Sequence, residues 1–212
     1  VVAAGAGLAV LSPLLLLVAV AVRLESPGPA VFRQQRIGRR FRPFTIYKFR
    51  TMIDGAARRG LPVTAGADAR VTRVGRVLRK TKLDELPQLF NVLRGDMSLV
   101  GPRPEVPRYV ALFRREYQPI LEVRPGITDL ASIAYCDEEA VLGHATDAER
   151  EYVRCVLPDK IRLAREYLRR RSMRFDLYLI AQTIGRLLHS GARREAAAAR
   201  SYFPAPPEGS AL

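Results

Sequence analysis

"KTKLDELPQLFNVLRGDMSLVGPRPE", Lys80 to Glu105, is the stretch whose reading decides the fold. Leu86, Leu89, Phe90 and Leu93 recur at the i, i+3, i+4, i+7 spacing of one helical face, which predicts a buried amphipathic helix. Pro87 is tolerated only in a first turn, where its missing N–H has no partner to lose, and Gly95 suits the exit. The helix is therefore expected to start at or just before Asp84. Downstream, Pro102, Pro104 and Pro107 forbid a continuous helix and predict an extended or turning chain, with Arg103 clamped between two prolines.

Asp84 and Glu85 at a helix start have a bland reading, an acidic pair that caps the macrodipole. Their surroundings favour chemistry instead. Arg79, Lys80 and Lys82 precede them and Arg103 follows, and an ionised aspartate among cations suits a metal ligand or a nucleophile toward phosphorus. Lys48 and Arg50 in "YKFRTM" stand two apart, on one face of a strand, where they suit a solvated edge and phosphate binding equally. No Walker loop, dinucleotide-binding glycine turn or His/Cys metal cluster occurs, and the isolated His144 and His189 receive no role.

Working outward, 48% of the 212 residues are hydrophobic, enough for one domain with its own core plus an anchor. The 35 Lys and Arg against 21 Asp and Glu give a net charge of +14, a surface that seeks anions: nucleic acid, anionic lipid or nucleotide phosphates. Two cysteines, Cys136 and Cys155, are too few for a disulfide framework and read as reduced thiols.

The anchor is Val1 to Val22, which carries no charge and whose only polar side chain is Ser12; as a straight helix it reaches about 33 Å, enough for a bilayer. Pro13 within it removes a donor and frees the carbonyl of Ala9, which Ser12 is placed to help satisfy. Two half-helices, Val1 to Leu11 and Pro13 to Val22, suit a segment that dips in and returns. Residue physics alone favours a kinked spanning helix. The basic excess from Arg23 to Arg59, ten cations to two acids, puts that flank in the cytoplasm.

Strands are expected around Val31 to Ile37 and Phe44 to Met52, a loop after them, and a helix over Arg70 to Lys80. Further on, "RPGITDLASI" turns into a short apolar run. Helices are expected at Ala148 to Val156, Lys160 to Arg171 and Phe175 to Leu188, the last with a lipid- or core-facing stripe of Leu177, Ile180, Ile184, Leu187 and Leu188. A tail follows from His189.

"SPGPAVFRQQRIG", "FTIYKFRTM", "KLDELPQLFNVLRGDMSLVGPRPE" and "RPGITDLASI", in this order after an apolar Ser-Pro segment, resemble the bacterial sugar transferases, the monotopic phosphoglycosyl transferases. The resemblance implies a mixed, helix-rich α/β fold: a re-entrant membrane helix over 1–24, a cytosolic catalytic domain over 25–188 with a short β-hairpin and amphipathic interfacial helices, and a flexible tail over 189–212. It implies Mg²⁺-dependent transfer of a sugar-1-phosphate from a UDP-sugar to a polyprenyl phosphate, releasing UMP and initiating a surface glycan or exopolysaccharide. The expected setting is the cytoplasmic face of the bacterial inner membrane, with its lipids as partners, no nucleic acid, and room for a homodimer.

Carried over by position, Asp84 would be the nucleophile that forms a covalent phospho-sugar intermediate, with Glu85 its partner in metal binding or proton transfer. Arg50, Arg79 and Arg103, with Lys48, would meet the phosphates or fix the dyad. Ser12 and Pro13 would break the membrane helix, which reverses the preference for a spanning one. Many relatives carry an acid where this chain has Ala164; if that acid serves the metal, either Asp159 or the Asp137, Glu138, Glu139 cluster substitutes or the contribution is absent. The rival readings are a nucleic-acid-binding protein, which makes the anchor superfluous, and a non-catalytic membrane scaffold, which leaves the cations around Asp84 without a purpose.

Overall fold

The computed structural model describes residues 1–56, 68–135, 138–143 and 145–188. It is helix-rich, with two small two-stranded sheets. Helix α1, Val2–Glu25, is the one helix among the described residues long and apolar enough to cross a membrane. It stays helical through Pro13. The Ser12 hydroxyl donates to the Ala9 carbonyl at 2.8 Å, supplying the hydrogen bond that Pro13 has no N–H to make.

Strands β1, Val31–Ile37, and β2, Pro43–Phe49, form the expected antiparallel hairpin around a short 3₁₀ turn at Arg39–Phe41. The second strand ends sooner than the alternation suggests; Met52 makes only an isolated bridge to Val71. Most of the predicted loop, 57–67, lies outside the described residues. Helix α2, Arg73–Thr81, starts where Thr72 accepts from the Gly75 N–H and ends at Lys82, in the left-handed region with φ 57°. A 3₁₀ turn, Leu83–Glu85, then leads into α3, Gln88–Arg94.

Both halves of α1 lie against this body. Ala4, near its start, is buried with Ile46, Val92 and Met97, beside Leu89 and Leu93. Val18 and Val22, near its end, are buried with Phe49 and Leu78. The outward side, with Val10, Leu16, Leu17 and Val20, stays exposed. Glu25 fastens the end of α1 to the start of α2, accepting from the Arg73 N–H at 2.7 Å and the Val74 N–H at 3.0 Å.

The face predicted for α3 is redistributed. Gln88, Asn91 and Val92 are the buried residues, Leu89 and Leu93 turn to α1, and Phe90 is 48% exposed. Periodicity identified an apolar side but not what covers it, and α1 takes part of it.

Strand β3, Ser98–Val100, pairs in parallel with β4, Gly126–Thr128. Between them run α4, Pro107–Leu112, and α5, Arg114–Ile120, which sequence reading passed over. After β4 come α6, Leu130–Ala134; α7, Glu138–Gly143; α8, Ala148–Glu151; a π turn, Tyr152–Val156; α9, Leu157–Arg170; and α10, Met173–Leu188. The break expected before Lys160 is absent: the helix widens to the π spacing just ahead of Pro158 and continues. Tyr109, Val110, Tyr117, Ile120, Leu157 and Ile161 build the larger core. Helix α10 packs on β3 through Leu179, while Leu177 and Ile184 face away from the core.

The loop after β3 passes too close to the start of β4 to admit a side chain there. A Cβ on Gly126 would lie 2.1 Å from the Gly101 nitrogen. Gly126→Ala is accordingly expected to destabilise the fold by about 1–3 kcal/mol, the usual cost of overpacking. A thermal melt of the detergent-purified protein checks this, and an unchanged midpoint would contradict the close approach.

Candidate active site

Three elements bring ionised groups to one point. The 3₁₀ turn between α2 and α3 carries Asp84 and Glu85, β2 carries Lys48, and the loop after β3 carries Arg103. Lys48 donates from Nζ to Glu85 Oε1 at 2.9 Å. Arg103 grips the same carboxylate with both ends of its fork, Nη2 to Oε1 at 2.5 Å and Nη1 to Oε2 at 3.1 Å. Such bidentate, charge-assisted pairs are the strongest of their kind and hold geometry as well as charge.

Asn91 explains why β2 presents Lys48 there. Fully buried on α3, its amide donates to the Thr45 carbonyl at 2.7 Å and accepts from the Tyr47 N–H at 3.2 Å, so it stands in for a neighbouring strand. This residue escaped sequence reading because its role is backbone mimicry, which residue type and spacing do not signal.

The two carboxylates of the dyad end in opposite electrostatic states. Burial works to raise Glu85, but the charges of Arg103 and Lys48 and their hydrogen bonds outweigh it and hold the group well below the ordinary glutamate value of 4.5. Burial also raises Asp84, from the ordinary 3.8, and the adjacent Glu85 charge adds to this against the pull of Lys48, Lys82 and Arg103. Burial likewise pushes Lys48 down, resisted by Glu85. Asp84 is 8% exposed and its Oδ1 has no hydrogen-bond partner among the described residues. Four residues on, the buried Gln88 amide also lacks one.

The other predicted site residues part company with this cluster. Arg50 is 6% exposed and reaches the end of α1. It donates to the carbonyls of Pro27 and Ser26 at 2.7 Å each, and to the Ser26 hydroxyl at 3.0 Å. Its guanidinium is thus a fastener for the chain leaving α1, because β2 ends at Phe49 and the next residue turns away from Lys48. Arg79 donates from Nε to Thr51 Oγ1 at 2.8 Å, at the foot of α2.

Of the acids considered as replacements at Ala164, two are engaged elsewhere. Asp159 accepts from Tyr135 and Arg162, and Glu138 pairs with Lys160. Asp137 and His144 lie outside the described residues, as does Cys136. No group of three or more metal-ligating side chains occurs among the described residues. A buried carboxylate oxygen without a protein partner, beside a second carboxylate, fits Mg²⁺, which commonly takes one or two carboxylates and completes its shell from substrate phosphates and water.

Residues 1–190 match the family described as Bacterial sugar transferase. Over 182 residues the chain is 43% identical to the UDP-N-acetylgalactosamine-undecaprenyl-phosphate N-acetylgalactosaminephosphotransferase of Aeromonas hydrophila, spanning 84% of this chain and 40% of that protein. It is 43% identical over 194 residues to the UDP-glucose:undecaprenyl-phosphate glucose-1-phosphate transferase of Caulobacter vibrioides, 89% of this chain and 67% of that one. A Rhizobium leguminosarum protein, "Exopolysaccharide production protein PSS", is 44% identical over 133 residues, 59% of this chain and 66% of its own length.

The opposite states of the dyad give a signed prediction. Ionised Asp84 costs stability above its raised pKa and costs none below 3.8, where it is protonated folded or unfolded. Asp84→Asn is expected to raise the thermal midpoint at pH 7, with the gain shrinking as pH falls toward 3.8. A gain that persists at low pH, or a loss at pH 7, would contradict the assigned shift. Glu85 has the reverse sign: its contribution is present above 4.5 and lost as pH falls through its depressed value.

Proposed function

The chain belongs to the bacterial sugar transferase family, and from that premise we propose that it moves a sugar-1-phosphate from a UDP-sugar to a polyprenyl phosphate, releasing UMP. The observation that carries this reading is the division of labour in the dyad. Glu85 is neutralised by two cations, while Asp84 keeps an unpartnered, under-stabilised carboxylate oxygen.

Asp84 attacks the sugar-bearing phosphorus of the donor. A bond forms from its carboxylate oxygen to that phosphorus, the bridging bond of the diphosphate breaks, and the electron pair leaves on UMP. An oxygen of the polyprenyl phosphate then attacks the same phosphorus and restores the carboxylate, leaving a lipid-linked diphosphosugar. Two steps through a covalent aspartyl intermediate replace one encounter between two anions. Glu85, ionised and bonded to two cations, has no proton to give near neutral pH; its part is to hold Arg103 and Lys48 beside the reacting phosphate. Asp84 with Glu85 would hold Mg²⁺, which when bound supplies positive charge to the diphosphate.

We infer further that α1 enters the bilayer and returns to the face it left. Support comes from the packing of both its halves on one body, since a straight spanning helix carries one end about 36 Å from the other, across the hydrocarbon. The basic excess after Arg23 favours the cytoplasmic face, and the exposed Leu177 and Ile184 of α10 suit an interfacial helix. One relative is named for exopolysaccharide production, which favours a role in such synthesis, and two others are named for different sugars. The family match gives no support to the nucleic-acid-binding or scaffold alternatives.

Purified protein with Mg²⁺, undecaprenyl phosphate and a panel of UDP-sugars is expected to release UMP over many turnovers, and to stop on chelation or in Asp84→Asn; lipid-independent release beyond one UMP per protein, or an active Asp84→Asn, would overturn the reading. For the helix, Ala3→Cys and Arg23→Cys, each in a background without Cys136 and Cys155, are expected to react with an impermeant maleimide from the same side of sealed vesicles. Labelling from opposite sides would make α1 a spanning helix.

A further inference from the structure

Within Pro102–Arg103–Pro104 the backbone offers a single N–H, that of Arg103, because prolines have none. That N–H donates to Asp129 Oδ2 at 3.0 Å. Asp129 follows β4 and is 1% exposed, and its other oxygen accepts from the Ser132 N–H at 2.6 Å, capping α6. The Ser132 hydroxyl stands 3.5 Å from Arg103 Nη1, so the start of α6 brackets the arginine at both its backbone and its fork.

The neighbouring backbone bonds hold other residues of this loop. Gly101 donates to the Thr128 carbonyl at 3.1 Å, Gly126 donates to the Pro102 carbonyl at 3.0 Å, and Ile37 donates to that of Glu105 at 3.0 Å. Arg103's own peptide is held by Asp129. A buried carboxylate with one oxygen on a helix N-terminus and the other on the peptide of a site arginine does more than cap a helix.

We propose that Asp129 is a positioning residue for sugar-phosphate transfer: through the backbone of Arg103 it fixes where the guanidinium fork meets Glu85, and so where the dyad stands relative to the donor phosphates. The proposal rests on the reading of Asp84 and Glu85 as the reacting dyad. Misplacement of about an ångström at a catalytic group lowers rates by up to about 100-fold. Asp129→Asn keeps the shape but offers one acceptor oxygen for two donors, and turns an amide N–H toward the other.

The test is a double-mutant cycle on UMP release with Mg²⁺, undecaprenyl phosphate and the UDP-sugar on which the unmodified protein turns over. Asp129→Ala and Asp129→Asn are expected to lower kcat by about 10- to 100-fold, with a smaller change in KM. In an Arg103→Lys background, where the fork is gone, the same changes are expected to cost less than about 2-fold. Asp147→Ala removes an equivalent cap, that of α8 on the Arg150 N–H, and is expected to lower the thermal midpoint while leaving kcat within about 2-fold. Equal losses from the Asp129 changes in both backgrounds, or kcat loss in Asp147→Ala matching that in Asp129→Ala, would make Asp129 structural only. If the unmodified protein releases no UMP on any donor of the panel, the functional reading itself falls and the proposal with it.

Discussion

Glu85 is held by two half-buried cations from two distant parts of the chain, and that pairing fixes where the charges of the site meet. Partly buried ions at this point require close partners, since an uncompensated charge away from water is severely destabilising. Arg103 and Lys48 both meet the requirement at Oε1 of Glu85. With Glu85 thus neutralised, the neighbouring Asp84 has no direct hydrogen bond at Oδ1 and remains the less stabilised carboxylate. One carboxylate organises cations; the other receives less of them and is the less stabilised.

Helix α1 is joined to this arrangement through packing and polar bonds. Its early residues cover Leu89 and Leu93 on α3, the helix that follows the dyad, and the chain leaving it is gripped by Arg50 at the end of the strand that presents Lys48. Glu25 secures the same end to α2, which leads directly into Asp84. A shift of α1 therefore presses on both elements that place the dyad and its lysine. That coupling suits an enzyme whose acceptor is confined to lipid and whose donor is dissolved in water.

Much of this was legible in the residues. The Asp84-Glu85 pair, the proline-held Arg103, the hairpin and the Ser12-Pro13 adjacency each carry a local signature, and Ser12 satisfies the Ala9 carbonyl as its position suggests. Local patterns did not reveal partners. Lys48 and Arg50 share a periodicity, yet one reaches Glu85, 37 residues away, and the other turns back to Ser26, 24 residues before it. Asn91 and Asp129 act on peptide groups far along the chain, and a polar residue inside an apolar pattern reads as an interruption until the fold supplies its partner. The stripe of α3 was visible, but part of its covering is α1, which no helical period in α3 can announce.

The central claim is that Asp84, and not Glu85, bonds to phosphorus. Mass spectrometry with fragment mapping, after acid quench of the protein with Mg²⁺ and a turned-over UDP-sugar in the absence of lipid acceptor, tests it most directly. The prediction is a sugar-phosphate mass on Asp84 that disappears when undecaprenyl phosphate is added before the quench. The same mass on Glu85, or lipid-dependent UMP release with no adduct on either residue, would contradict it.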